Sequence, residues 1–293
     1  MAGGYLDADD NLYISGFTGS SLGGYTNQGN QDGFIMKLNS TADLQWVSQS
    51  GTTDWDSYMA IAMKQSMEVV AVGYTGGTYP GQTQGGDYAY DVIVVSHPIY
   101  APSPAPTPAP TAEPTTPTAE PTPQPTAPTA NPTPAPSPVP TRTPTTAVPS
   151  SEPTMGPDLN QYFHVGTSGF DGFQAVAVDS SNNVYAVGFT TGTVGSTSYG
   201  LNDALMRKYD ATWNVNFTIQ AGTSGNDGFT CIYISSSDEV FVGGYSEGPI
   251  FSMTNVSGMD GFFAKYSRDG VLLMSRMVAT TGTDIVHVIT TDS

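Results

Sequence analysis

Short apolar runs of six to eight residues, closed by Gly, Asn, Asp or Ser, recur along most of this chain. The clearest set is FQAVAVD (Phe173–Asp179), NVYAVGFT (Asn183–Thr190), DALMRKYD (Asp203–Asp210) and WNVNFTIQ (Trp213–Gln220). Their content of β-branched and aromatic residues predicts four strands. No window sustains an i, i+3, i+4, i+7 pattern, so helices are not expected. Between the runs, DSSNN, DADDN and SRDG offer the Asn, Asp and Gly that tight hairpin turns use.

The pattern repeats four times. A glycine near the end of the second run stands at Gly16, Gly73, Gly188 and Gly244, with spacings of 57 and 56 residues within the two halves. An aspartate opens the next run at Asp32, Asp91, Asp203 and Asp260, and a GT…D element before each new copy supplies Asp56, Asp171, Asp227 and Asp284. Four antiparallel strands at this period predict an all-β, propeller-like array of four four-stranded blades. One such sheet cannot cover both of its own faces, so the sheets must stack.

DSSNNVYAVGFTTG, NDALMRKYD and GTSGNDGF together resemble the seven-bladed β-propeller repeat family, whose pattern runs D-x-x-G-N-V-Y-V-x-G-Y-T, then D-A-F-V-A-K-L, then G-x-x-x-D. The resemblance spans about residues 7–98 and 160–293 and implies a propeller of outer-surface or secreted proteins. It transfers no catalytic motif. Copy two departs from it: Lys37, Lys208 and Lys265 have Ser96 as their counterpart, followed by His97 and Pro98. The third strand of that copy is therefore the least defined.

Residues 98–157 break the pattern. All but Pro80 and Pro249 of the 23 prolines lie there, interleaved with Thr, Ser and Ala. Such a stretch cannot bury enough apolar surface to fold and is expected to be a disordered Pro/Thr-rich linker or O-glycosylated spacer. The expected division is residues 1–97 for the first part of the array, 98–157 for the linker, and 158–293 for the last strand of blade two onward. The linker enters after DVIVV, and QYFHV resumes the sheet beyond it, as an insertion at a hairpin tip would. DIVHVITTDS reads as the first strand of a further copy. Two explanations stand side by side: that strand closes a ring onto the first blade, or the chain is a fragment of a larger repeat protein.

A net charge of −18 with eight Lys plus Arg argues against binding nucleic acid through phosphates. No run is long and apolar enough to cross a bilayer as a helix. Cys231 stands alone, which excludes an intrachain disulfide, and its counterparts Ala60, Ala175 and Val288 predict a small core residue.

A residue present in every copy serves what every copy needs. Asp32, Asp91, Asp203, Asp260, Asp56, Asp171, Asp227 and Asp284 are accordingly read as structural, accepting backbone N–H groups at strand starts. DADDN (Asp7–Asn11) invites calcium but lacks EF-hand spacing, so a polar turn is preferred and no cofactor is expected. His97, His164 and His287 form no spacing motif. Sequons at Asn39, Asn216 and Asn255 are candidate N-glycosylation sites if the chain is secreted. Trp46 and Trp213 read as packing residues and Trp55 as an exposed loop residue.

The expected function is a non-enzymatic extracellular module that binds a protein or glycan partner. The competing reading is a propeller glycoside hydrolase or lyase with carboxylates at the channel mouth, for which Glu247, Asp238 and Glu239 are the only loosely placed candidates.

Overall fold

The computed structural model describes residues 3–83, 90–98, 154–155, 161–195 and 197–290. The architecture is all-β, with four sheets built on four antiparallel strands each. The first holds β1 (Gly4–Leu6), β2 (Leu12–Thr18), β3 (Asp32–Leu38) and β4 (Leu44–Ser50). The second holds β5 (Asp56–Lys64), β6 (Glu68–Thr75), β7 (Asp91–Pro98) and β9 (Gln161–Val165). The third runs β10 (Asp171–Val178), β11 (Val184–Thr190), β12 (Asp203–Tyr209) and β13 (Val215–Ala221). The fourth runs β14 (Asp227–Ile234), β15 (Val240–Ser246), β16 (Asp260–Tyr266) and β17 (Leu272–Val278).

The second sheet is completed across the proline-rich region. β9 pairs antiparallel with β7, Val92 opposite Val165 and Ser96 opposite Gln161. Residues 1–100 and 153–293 thus belong to one compact unit. The third strand of copy two forms in full despite its departure from the repeat, with Val69 opposite His97. Two residues placed in the linker by sequence, Thr154–Met155 (β8), instead add to the outer edge of β4 in parallel, a correction at the tract's far end. The disorder and glycosylation expected of the rest of the tract fall outside the described residues.

Stacking explains the unbroken apolar runs. On β6, Val69 and Ala71 pack toward the first sheet with Tyr13, Ile35 and Tyr58, while Val70 and Val72 join Phe173, Val184 and Leu205 of the third. A third cluster, centred on Tyr185, Met206, Phe229, Val242 and Phe262, joins the third sheet to the fourth. Strands covered on both faces lose the polar half of their alternation, which is why EVVAVG and DVIVV carry almost no polar residue. Cys231 is buried within the fourth sheet, opposite Gly243.

Three of the four repeat glycines have a backbone reason. The innermost strand bulges between Tyr58 and Ala60, between Phe173 and Ala175, and between Phe229 and Cys231. A Cβ on Gly73, Gly188 or Gly244 would lie 1.9 Å from the carbonyl oxygen of Ser57, Gly172 or Gly228. Bulges commonly carry such close approaches. Gly16 differs, because β1 pairs only with Leu12–Ile14 and leaves no inner strand beside it.

Of the two explanations for the last apolar run, closure onto the first blade is not formed as a strand pairing among the described residues. The inner edge of β2 is occupied by the chain's own Gly4–Leu6, and residues 283–290 form no strand. That segment does follow the inner-strand path, with Asp284 N–H donating to Met259 O at 2.8 Å and Val286 N–H to Gly244 O at 3.2 Å. With no further ladder partner it stays irregular.

Candidate ligand-binding face

The repeat aspartates stitch consecutive sheets together. Asp56, Asp171, Asp227 and Asp284 donate their own N–H to the carbonyl of Gln31, Tyr90, Asn202 and Met259, at 2.7–2.9 Å. Each acceptor immediately precedes an aspartate of the other series. In all four, Oδ2 also accepts two bonds from the threonine four residues earlier, N–H and Oγ1, at Thr52, Thr167, Thr223 and Thr280. A carboxylate bonded in this way fixes the loop that carries one sheet into the next. The first three are buried, and Asp284 is not.

The second series is buried throughout and uses a different set of donors. Oδ2 of Asp32, Asp203 and Asp260 accepts the N–H of Gln28, Tyr199 and Val256. Gln49 and Gln220 on the outermost strands add Nε2 bonds of 2.8 and 2.7 Å to Asp32 and Asp203. In the second sheet the corresponding partner of Asp91 is His164, whose Nε2 lies 3.0 Å away. Sequence reasoning missed this role. Only the alignment of Gln49, His164 and Gln220 on the outermost strands could have revealed it.

Burial pushes Asp56, Asp171 and Asp227 above the ordinary carboxylate value, against hydrogen bonds that pull the other way. In the hairpin turns the balance reverses for Asp210. Its oxygens take Asn214, then Thr212, and these bonds hold it down at about 2. Asp7 of DADDN is similarly committed, to Asn11, Asp9 and Tyr13. Among the described residues no group of three His, Cys, Asp or Glu side chains is placed to hold a metal ion.

The remaining candidates scatter. Asp238 lies in the β14–β15 turn and accepts from Ser180. Glu239 beside it pairs with Lys265. Glu247 follows β15 at the other end and accepts from Asn226 at 2.8 and 2.9 Å. A seven-residue strand separates them, roughly 20 Å at ~3.3 Å per residue. These acids do not form one site. His287 is exposed beyond the last strand. Of the sequons, Asn216 is exposed on β13, whereas the side-chain nitrogens of Asn39 and Asn255 bond within their own loops.

Three tryptophans have distinct surroundings. Trp46 packs edge-on against Tyr13. Trp213 bridges sheets, with Lys64 Nζ 3.8 Å from its ring and its Nε1 donating to Glu68. Trp55 is exposed, in the loop that leads into β5.

Openings lie at both ends of the inner strands. At the hairpin-turn end, a cavity of about 610 Å³ is bordered by Tyr5, Ile61, Val176, Asp179, Ile232 and Asp238, so all four innermost strands reach it. At the other end, where Asp56 and Asp171 begin their strands, two grooves sit between consecutive sheets. One, of about 280 Å³, is lined by Phe17, Phe34, Tyr58 and Tyr74. The next, of about 320 Å³, is lined by Tyr74, Tyr90, Phe170, Phe189 and Gln174. Phe17 and Phe170, at the rims of these grooves, are 52% and 56% exposed.

No protein-family model matches the sequence, and no curated protein matches it. Among solved structures, a polysaccharide lyase of family PL25, an ulvan lyase bound to -[GlcA(1-4)Rha3S]-, is similar at TM-score 0.44 and 10% identity over 92% of this chain and 54% of that one. A second structure of a PL25 ulvan lyase aligns at TM-score 0.43 and 9% identity, with the same coverage. The chain spans about half the length of these proteins.

Proposed function

We propose that this chain is a non-enzymatic binding module, acting outside the cell, which contacts a protein or glycan through the loop face where β5 and β10 begin. One observation carries the reading. Seven of the eight repeat carboxylates commit Oδ2 to a backbone N–H of their own loop, while aromatic rings at the same end are left open to solvent. Catalysis by proton transfer needs an acid or base poised beside the reacting atom. Glu247, Asp238 and Glu239 supply no convergent pair.

The test is a glycan array run beside a panel of polysaccharide hydrolase and lyase substrates. Retention of a ligand with no change in its chain length is expected. Turnover of any substrate without retained binding would overturn the reading.

A further inference from the structure

Resting on that binding-module reading, we infer that the two aromatic grooves flanking Tyr74 form one continuous track for an extended, uncharged glycan. Tyr74 lines both grooves, so the two adjoin at its ring. Each groove alone sits near the lower end of the ~300–1,000 Å³ range of small-ligand sites. A single groove therefore suits about one ring unit, and a longer ligand must span both.

Tyr90 and Phe170 stack on each other, with centroids 5.3 Å apart and planes at 23°, and Tyr74 meets Tyr90 edge-on at 86°, so the tyrosines brace Phe170, whose other face is left to solvent. The electron-rich face of such a ring attracts the polarised C–H bonds of a pyranose, while phenol hydroxyls at Tyr74 and Tyr90 and the amide of Gln174 suit its hydroxyls. The same repeat position supplies Phe17, Tyr74 and Phe189, so rings recur at the spacing of the sheets, as a polymer of like units requires.

Charge decides which glycan. No Lys or Arg lines either groove among the described residues. Lys37, Lys208 and Lys265 are held over Tyr13, Tyr185 and Phe241, toward the hairpin-turn end. The chain carries −18, and the Tyr90 phenol is pushed up by burial and then by the charge of Asp54. A uronate or sulfated polymer would enter against this field with no cation to meet it. A basic peptide fares no better. Among the described residues Asp171 is the only carboxylate lining the grooves, and both its oxygens are already bonded, to Thr167, Thr190 and Thr191.

Calorimetry on the full chain tests this with cellohexaose, laminarihexaose and mannohexaose as neutral probes, hexaguluronate as the anionic probe and hexalysine as the cationic one. Expected is binding of at least one neutral hexasaccharide, tighter than its disaccharide. Phe170→Ala and Phe17→Ala should each weaken it about tenfold, one well-placed ring contact. Both side chains are more than half exposed, so their loss leaves the core packed. The track is overturned if no neutral hexasaccharide binds, if hexaguluronate or hexalysine binds more tightly, or if both variants bind as the parent does. Retention of hexaguluronate uncleaved would sink the track and leave the binding-module reading standing. Cleavage of any probe would sink that reading itself.

Discussion

His164 stands 3.0 Å from Asp91, both fully buried, at the place where the first and third sheets set Gln49 and Gln220 against Asp32 and Asp203. Three different residues on the outermost strand serve one carboxylate at the start of the third strand. The fourth sheet has Met277 there and leaves Asp260 with the N–H of Val256.

This equivalence makes a substitution test. His164→Gln should retain stability close to the parent, because an amide already serves the same position twice. His164→Leu replaces the polar group facing the buried Asp91 carboxylate with an apolar one and should cost about 1–3 kcal/mol. Urea unfolding of the two variants separates them. Equal losses would show that packing, rather than a donor to Asp91, is what His164 provides.

The repeat glycines predict an unequal series. Gly188→Ala drives a methyl group into the Gly172 carbonyl and the Phe173 Cα, both backbone atoms with nowhere to go. Its cost should exceed the ~1–3 kcal/mol typical of overpacking. Gly16→Ala meets the edge of the Phe34 ring, which can shift, and should fall at or below that range. Thermal unfolding of both variants checks the order.

Acid titration should show two opposite signs within the third sheet. Asp171 is raised by burial, so the folded state takes up its proton more readily than the unfolded chain. Its contribution to stability therefore grows as pH falls into the window above the ordinary value of 3.8, and is lost as pH rises through the folded pKa. Asp171→Asn should flatten that part of the stability–pH curve, and an unchanged slope would assign the effect elsewhere.

Asp210 runs the other way. Held at about 2 by Asn214 and Thr212, it contributes stability above 3.8 that disappears as pH drops toward 2. Asn214→Ala should move the Asp210 titration up toward 3.8, read by carboxyl-carbon NMR. No movement would mean that the turn backbone alone sets it.

Most of the strands and their order were legible because apolar runs covered by neighbouring sheets alternate with turn residues; β8 and the irregular path of residues 283–290 were not. Asp10, Asn182, Asp238 and Gly270 take the positive φ their loops require. Ala42, Met67 and Trp213 take it too, with no such signal in their side chains, because the hairpin register imposes it. The copy-two strand looked weak for lack of a lysine, yet its apolar run is buried on both sides and forms regardless. Less could be read of the face. Phe17 and Tyr74 belong to the repeat and look like core residues, whereas Tyr90 and Phe170 are distant in sequence and meet only because Asp171 bonds back to Tyr90. That pairing is tertiary, and no local pattern announces it.

The pairing of β7 with β9 carries a consequence for biosynthesis. Translation delivers β7 complete at Pro98, but its partner is not finished until Val165. At ~5–20 residues per second, that interval is roughly 3–13 seconds. Throughout it the nascent chain holds an apolar strand whose outer hydrogen-bonding row has no occupant, the kind of edge on which neighbouring polypeptides pair. Slow passage through the proline codons would lengthen this exposure, so the yield of native protein should fall with polysome crowding and recover with a chaperone that shields strand edges.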